Sequence, residues 1–359
     1  MNKIFKVIWS KSKQCYVVVS EMAKNKTGKK KIVVASILAA LAMQTASVID
    51  VAAAVGDQPS AAIANGSVTS GKTNGLAIGN FASSGSNQSI AIGYYSVATA
   101  TEADPALPAT AVGAGANATG QSTVALGLLA QATSGSTTAL GAKSVASEDA
   151  AVAVGYGTKA TGNYASALGA DATASNNDAT AFGHGTVASG GSSTALGSRA
   201  KAGGTAGVGI GMLANATNQY GVAIGGESSS SADNSIAIGR KSSVTGESGI
   251  AIGAFTTSKG ANGVAVGTNG TKSDLGGVAV GQAAQSIAFN SVATGMNVTA
   301  KGANSVALGA SATANDDGTI AIGSYGSTPT KATGNRALAI GSATTANGLE
   351  SIAIGSRVN

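Results

Sequence analysis

The sequence predicts an all-β chain wound as a parallel β-roll, a β-solenoid of 14-residue coils. Three observations predict it. A four-residue unit, apolar-Ala-apolar-Gly, recurs 20 times, and 17 of the 19 intervals between its glycines are 14 residues long. Glycine supplies 52 of 359 residues, and 43% of the chain is hydrophobic although only 4% is aromatic and 11% charged. That composition excludes charge-driven disorder and also a single wide close-packed core. Finally, none of the four prolines falls inside a 14-residue coil, as expected if every coil strand donates ladder hydrogen bonds.

The first segment, residues 1–54, reads as an export leader. It holds nine lysines against Glu21 and Asp50, a net +7, whereas the whole chain is +6. The basic character therefore belongs to the leader, and no nucleic-acid partner is expected. Residues 32–42 (IVVASILAALA) follow the basic stretch Lys24–Lys31 and precede Ala52-Ala53-Ala54, the order of a secretory signal. Eleven apolar residues fall short of the roughly 20 that span a bilayer as a helix, so no direct membrane span is expected. Cleavage is expected after Ala54, with Ala46 as the alternative. Cys15 and Trp9, the single residues of their kinds, lie in this leader. The mature chain thus offers no thiol for a disulfide, a zinc site or a nucleophile.

Residues 55–75 read as an N-terminal cap or degenerate first coil. Gly66–Thr73 matches the pattern GxxxxGK[ST], but LAIG follows at once where a phosphate loop needs a helix, and Gly71 shares the coil register of Gly85.

From residue 76 to 359 the repeat governs. Its glycines include Gly79, Gly93, Gly127, Gly155, Gly239 and Gly309. The residue before the glycine is large and apolar in every copy but Thr294, and the one before that is Ala in every copy but Gly209. In a strand these alternate, so one face is bulky and the other small. Ala three or five residues after the glycine, then Gly or Asn near seven or eight, predict a second short strand and a second turn. Twenty coils at about 4.8 Å each would stack into a rod roughly 95 Å long. A two-strand coil is expected to shelter the large aliphatics and to leave a carpet of alanine uncovered. That open alanine face predicts self-association.

Two intervals are longer, 20 residues from Gly93 to Gly113 and 18 from Gly323 to Gly341. They predict loops extruded from the rod, and Asp104, Pro105, Pro108, Tyr325 and Pro329 on them are the candidate ligand-contacting residues. No catalytic set converges: His184 stands alone in a turn, and the mature acidic residues hold no fixed place in the repeat. No enzyme activity, cofactor or metal array is expected. An ice-binding face would need aligned threonines, and Thr110, Thr138, Thr180 and Thr194 are scattered among Val and Ile.

Two features resemble a known family. The opening MNKIFKVIW, ahead of an otherwise ordinary signal, resembles the extended signal peptide of autotransporter and two-partner-secreted proteins of Gram-negative bacteria. The units Asn234-Ser235-Ile236-Ala237-Ile238-Gly239 and Asn304-Ser305-Val306-Ala307-Leu308-Gly309 resemble the head repeat of YadA-type trimeric autotransporter adhesins. The resemblance implies a left-handed, trimeric β-roll on the bacterial outer membrane. It implies a homotrimer whose ligands are host extracellular matrix, host cell-surface molecules or other bacteria. Family members continue into a stalk and a barrel anchor. Here no heptad run and no anchor strands follow Gly355, so a head without stalk or anchor, displayed or released, is expected. A structural rod without a specific ligand is the alternative function.

Overall fold

A computed structural model describes residues 5–10, 15–20, 61–63, 68–69, 74–100, 107–323 and 328–359. The chain divides into two units, Met1–Val48 and Ile49–Asn359. In the first, Phe5–Ser10 and Cys15–Ser20 pair as an antiparallel hairpin, with Phe5 opposite Ser20 and Ser10 opposite Cys15. Ala54 lies outside the described residues.

In the second unit every regular element among the described residues is a short strand. Each copy of the repeat forms a three-residue strand, as at Val124–Leu126, Thr138–Leu140 and Val152–Val154. Between successive copies lies a two-residue strand, such as Gln131–Ala132 or Val145–Ala146. The long strands pair only with long strands and the short only with short, all parallel and in register: Val124 with Thr138, Ala125 with Ala139, Leu126 with Leu140. The result is two open parallel ladders joined by two turns per coil. One further coil precedes the repeats. Its strands Ala61–Ile63 and Val68–Thr69 pair in parallel with Leu76–Ile78 and Ser83–Ser84. Val68 and Thr69, of the GxxxxGKT pattern, form the short strand of that coil.

The coil interior reverses one expectation. The strand alanines are fully buried, and so are the small residues of the short strand and of both turns. The bulky residues on either side of each alanine face outward: Leu126 is 41% exposed, Phe182 48% and Ile252 39%. The expected open alanine carpet is the core, and the large aliphatics, not the alanines, form the uncovered face. The reason is thickness. The two ladders lie so close that Val244 and Val298 are the largest fully buried side chains, followed by threonines. Leu or Ile facing inward from both ladders does not fit in that gap.

Val244 shows the limit directly. It replaces the usual Ala or Ser of its short strand, and Gly249 stands across from it; a Cβ on Gly249 would meet Val244 Cγ1 at 2.7 Å. Gly209, the glycine in place of a strand alanine, marks another tight coil, because a Cβ there would lie 2.3 Å from the Lys201 carbonyl oxygen.

The turns carry the register from coil to coil. The repeat glycines sit at positive φ, +124° at Gly239 for example. Two residues later, and again nine residues later, the backbone enters the left-handed region, as at Leu129 (φ 56°) and Ser136 (φ 55°). That conformation turns the amide along the stacking axis: Leu129 N–H donates to the Ala114 carbonyl (2.9 Å) and Ser136 N–H to the Gln121 carbonyl (2.7 Å). Where the turn carries Ser or Thr, its hydroxyl donates back three residues, Ser144 to the Gly141 carbonyl (2.8 Å) and Ser305 to the Gly302 carbonyl (2.6 Å). These buried hydroxyls are thereby paired.

One coil slips. After Gly267 the first turn holds an extra residue and the second turn one fewer, so the short strand is Lys272–Ser273. Thr257 therefore pairs with Lys272 and Lys272 with Gln285, although the glycine spacing stays at 14.

Candidate functional site

Four surfaces run along the coils, each set by a position in the repeat. The long-strand face is uncharged and largely aliphatic, interrupted by Thr110, Thr138, Ser166, Thr180 and Thr194 in one column and by Thr294 in the other. Its two columns follow the ladder register, one through Val112, Leu126, Leu140 and Val154, the other through Val222, Ile236, Ile250 and Val264. These side chains are half-buried or exposed along the unit. An aligned, largely aliphatic strip of exposed and half-buried side chains marks an interaction surface.

The short-strand face is polar and basic. Lys159, Lys201, Lys272 and Lys331 stand on the strands, Lys259 and Lys301 just after them, and all six are exposed. Asp274, just after Lys272–Ser273, holds the place that Lys259 and Lys301 hold on their coils, at the start of the second turn. Nine of the eleven described carboxylates, Asp274 among them, lie in the second turn. Contrary to the expectation of no fixed place, four of these, Asp149, Asp233, Glu247 and Asp317, share one register position. Asp149, Asp233 and Asp317 each accept an N–H from the preceding coil, from Gly135 (3.0 Å), Gln219 (3.2 Å) and Ala303 (2.8 Å). A carboxylate there satisfies an amide that the turn leaves unpaired.

The first-turn edge carries one group of exposed aromatics, and Tyr164, Tyr220 and Phe289 stand exposed on the second-turn edge. Phe81 stacks on Tyr95 at 4.8 Å between ring centroids, and Tyr94 meets Tyr95 edge-on at 4.4 Å. Partial desolvation in this cluster, together with repulsion from Tyr95, raises the Tyr94 hydroxyl above its ordinary pKa. Farther along, the Arg240 guanidinium lies 4.5 Å from the Phe255 ring centroid. His184 is exposed on the same edge, beside the varied turn residues of its neighbours.

The two insertions do not converge. The first leaves the second turn, between Val97–Ala98 and Thr110–Val112; the other leaves the first turn, between Ile320–Ile322 and Lys331–Ala332. Pro108 and Pro329 are half-buried where the loops rejoin the ladders. Asp104, Pro105 and Tyr325 lie outside the described residues. The ladders close across both insertions, Ile90 pairing with Thr110 and Ile320 with Leu338.

Comparison with known proteins follows the same division. Residues 1–48 match the family model of the extended signal peptide of the type V secretion system. Nine segments match the YadA head domain repeat, namely 70–101, 108–130, 132–158, 160–186, 188–213, 216–242, 245–269, 300–325 and 332–357. The span from 270 to 299, which opens on the slipped coil, stands outside these matches. Among solved structures, the collagen-binding domain of the Yersinia adhesin YadA is similar at 25% identity, over 47% of this chain and 69% of that one, with a TM-score of 0.25. No curated protein matches.

Proposed function

The chain belongs to the YadA-like trimeric autotransporter adhesins, exported through a type V signal and carrying the family's head repeats at the cell surface, and from that premise we propose that it is a homotrimeric, non-enzymatic adhesin head. Its ligands in this reading are host matrix, host cell-surface molecules or other bacteria. The observation that carries the reading is the long-strand face. Its two columns, mostly Val, Ile and Leu, lie open in a single chain, and burying each such aliphatic side chain contributes about 1.5–3 kcal/mol. Copies of the same strip on a rod are mutually complementary, and a threefold arrangement places all three strips on one axis. The basic face and both turn edges then remain outward. Many weak contacts repeated along three chains yield avidity.

Within this reading the left-handed winding and the contact role of the two insertions follow the family. The first insertion, around Asp104, Pro105 and Pro108, and the second, around Tyr325 and Pro329, are the loops freest to vary. Attachment of bacteria displaying the full chain to immobilised matrix proteins and to cultured cells tests the function. Attachment above that of bacteria lacking the chain is expected, with a partial loss on deletion of residues 101–107. Absence of attachment to every surface would return the chain to a spacer.

A further inference from the structure

We propose that the second-turn edge between Gln121 and Tyr164 holds a saccharide-binding subsite for an uncharged sugar. The inference rests on the adhesin reading and names a ligand class and a place for it.

A cavity of about 550 Å³ opens there, across four successive coils. That volume lies within the range of small-molecule sites. Its floor is low because three neighbouring positions are small. Gly135 has no side chain, and Ser136 and Ala150 occupy the left-handed turn positions of adjacent coils (φ 55° and 54°). The next coil places Tyr164 at that same position (φ 58°), with the ring 66% exposed. Gln121 closes the other end. The ring is thus a wall over a depression and not a filler of the core.

The polar groups are held in place. Asp149 lines the cavity, and its Oδ1 accepts hydrogen bonds from the Gly135 amide (3.0 Å) and from the Ser134 hydroxyl. Both bonds reach the same oxygen, so the carboxylate is oriented while Oδ2 stays available to an outside donor. Asp233 and Asp317 accept the corresponding amide in their own coils. The fixed carboxylate is therefore a feature of the fold, and the small floor and the tyrosine wall are what this stretch adds.

The lining selects the ligand chemistry. No lysine or arginine borders the cavity, and Asp149 repels anions, so phosphate, sulfate and sialylated groups are disfavoured. No aliphatic side chain larger than that of Ala150 lines it, so neither a lipid nor an apolar peptide fits. What fits is a group with several hydroxyls and one apolar face. A pyranose donates hydroxyl protons to Asp149, exchanges hydrogen bonds with Gln121 and Ser136, and lays its C–H face on the Tyr164 ring.

The test uses the full chain, purified after export, and calorimetry with lactose, maltose and N,N′-diacetylchitobiose, with sialyllactose and a sulfated heparin disaccharide as charged counterparts. At least one neutral disaccharide is expected to bind, and no charged one. Tyr164→Ala is expected to weaken that binding at least tenfold with an unchanged unfolding curve, since Ala150 and Ala206 already occupy this turn position. Asp149→Asn retains an acceptor for the Gly135 amide, and is expected to weaken neutral binding and to admit the charged sugars. Absence of neutral binding, indifference to Tyr164→Ala, or equal binding of the charged sugars would overturn the proposal. Competition by the bound sugar against attachment to host cells, or against attachment to other bacteria, distinguishes a host glycan from a bacterial polysaccharide. Attachment that persists without sugar binding sinks the subsite alone; sugar binding without any attachment sinks the adhesin reading alone.

Discussion

Gly239 concentrates the logic of the repeat in one residue. It holds φ at +124°, and a Cβ on it would lie 2.6 Å from the carbonyl of Gly253, the same position one coil on. Gly239→Ala is therefore expected to cost at least about 1–3 kcal/mol from the backbone conformation alone, with the clash adding to it; urea unfolding measures the loss. The left-handed positions two and nine residues after the glycine follow a different rule. They carry Leu, Tyr, Ser, Lys, Asp or Arg in one coil or another, and among the described residues never Val, Ile or Thr. Branching at Cβ is what this conformation excludes. Ala150→Gly relieves a left-handed penalty of about 1–2 kcal/mol, against about 0.5–1 kcal/mol for glycine's greater unfolded freedom. A gain of up to about 1 kcal/mol is expected, and Ala150→Val is expected to lose stability in the same urea series. The glycine period was plain in the sequence, whereas this exclusion was not, because it is written in residues that are missing.

At the scale of the coil, the placement of strands was legible and their orientation was not. All 20 copies of the apolar-Ala-apolar unit became strands, since alternation and a terminal glycine together mark a strand and its end. Which face turns inward depends on the gap between ladders, and that gap depends on how tightly both turns are folded. A general preference for burying the largest aliphatics pointed the wrong way here. The slipped coil at Lys272–Ser273 was hidden for a similar reason: one residue moved from the second turn to the first leaves the glycine spacing intact. Val244 and Gly249 test the thin core. Gly249→Ala overfills it and is expected to cost about 1–3 kcal/mol. Val244→Ala removes two buried carbons at about 0.8 kcal/mol each. The double variant recreates the pairing present at Ala160 and Ala165, and is expected to be more stable than the sum of the singles by roughly 0.5–3 kcal/mol. Simple additivity in a double-mutant cycle would contradict the packing described.

Among the described residues of the second unit, each face of the coil has a prevailing chemistry: aliphatic on the long strands, lysine-bearing on the short strands, carboxylate-rich in the second turn. The net charge had concealed this, because the leader's lysines set the sign for the chain. The sequence reading expected self-association through the alanines, which are internal; in the proposed trimer the aliphatic columns take that role. Ile238 stands near the middle of that strip, half-buried on the outer side of the strand, while Ala237 beside it faces inward. Ile238→Asp is therefore expected to leave each coil folded by circular dichroism while releasing single chains, which sedimentation velocity detects. The most direct measurement is the solution mass of the exported chain by light scattering across a range of concentrations. Three times the chain mass is the predicted result, since the aliphatic strip then lies buried among three copies. A stable, well-folded monomer at every concentration would contradict it, showing that the strip tolerates water and that the assembly argument fails.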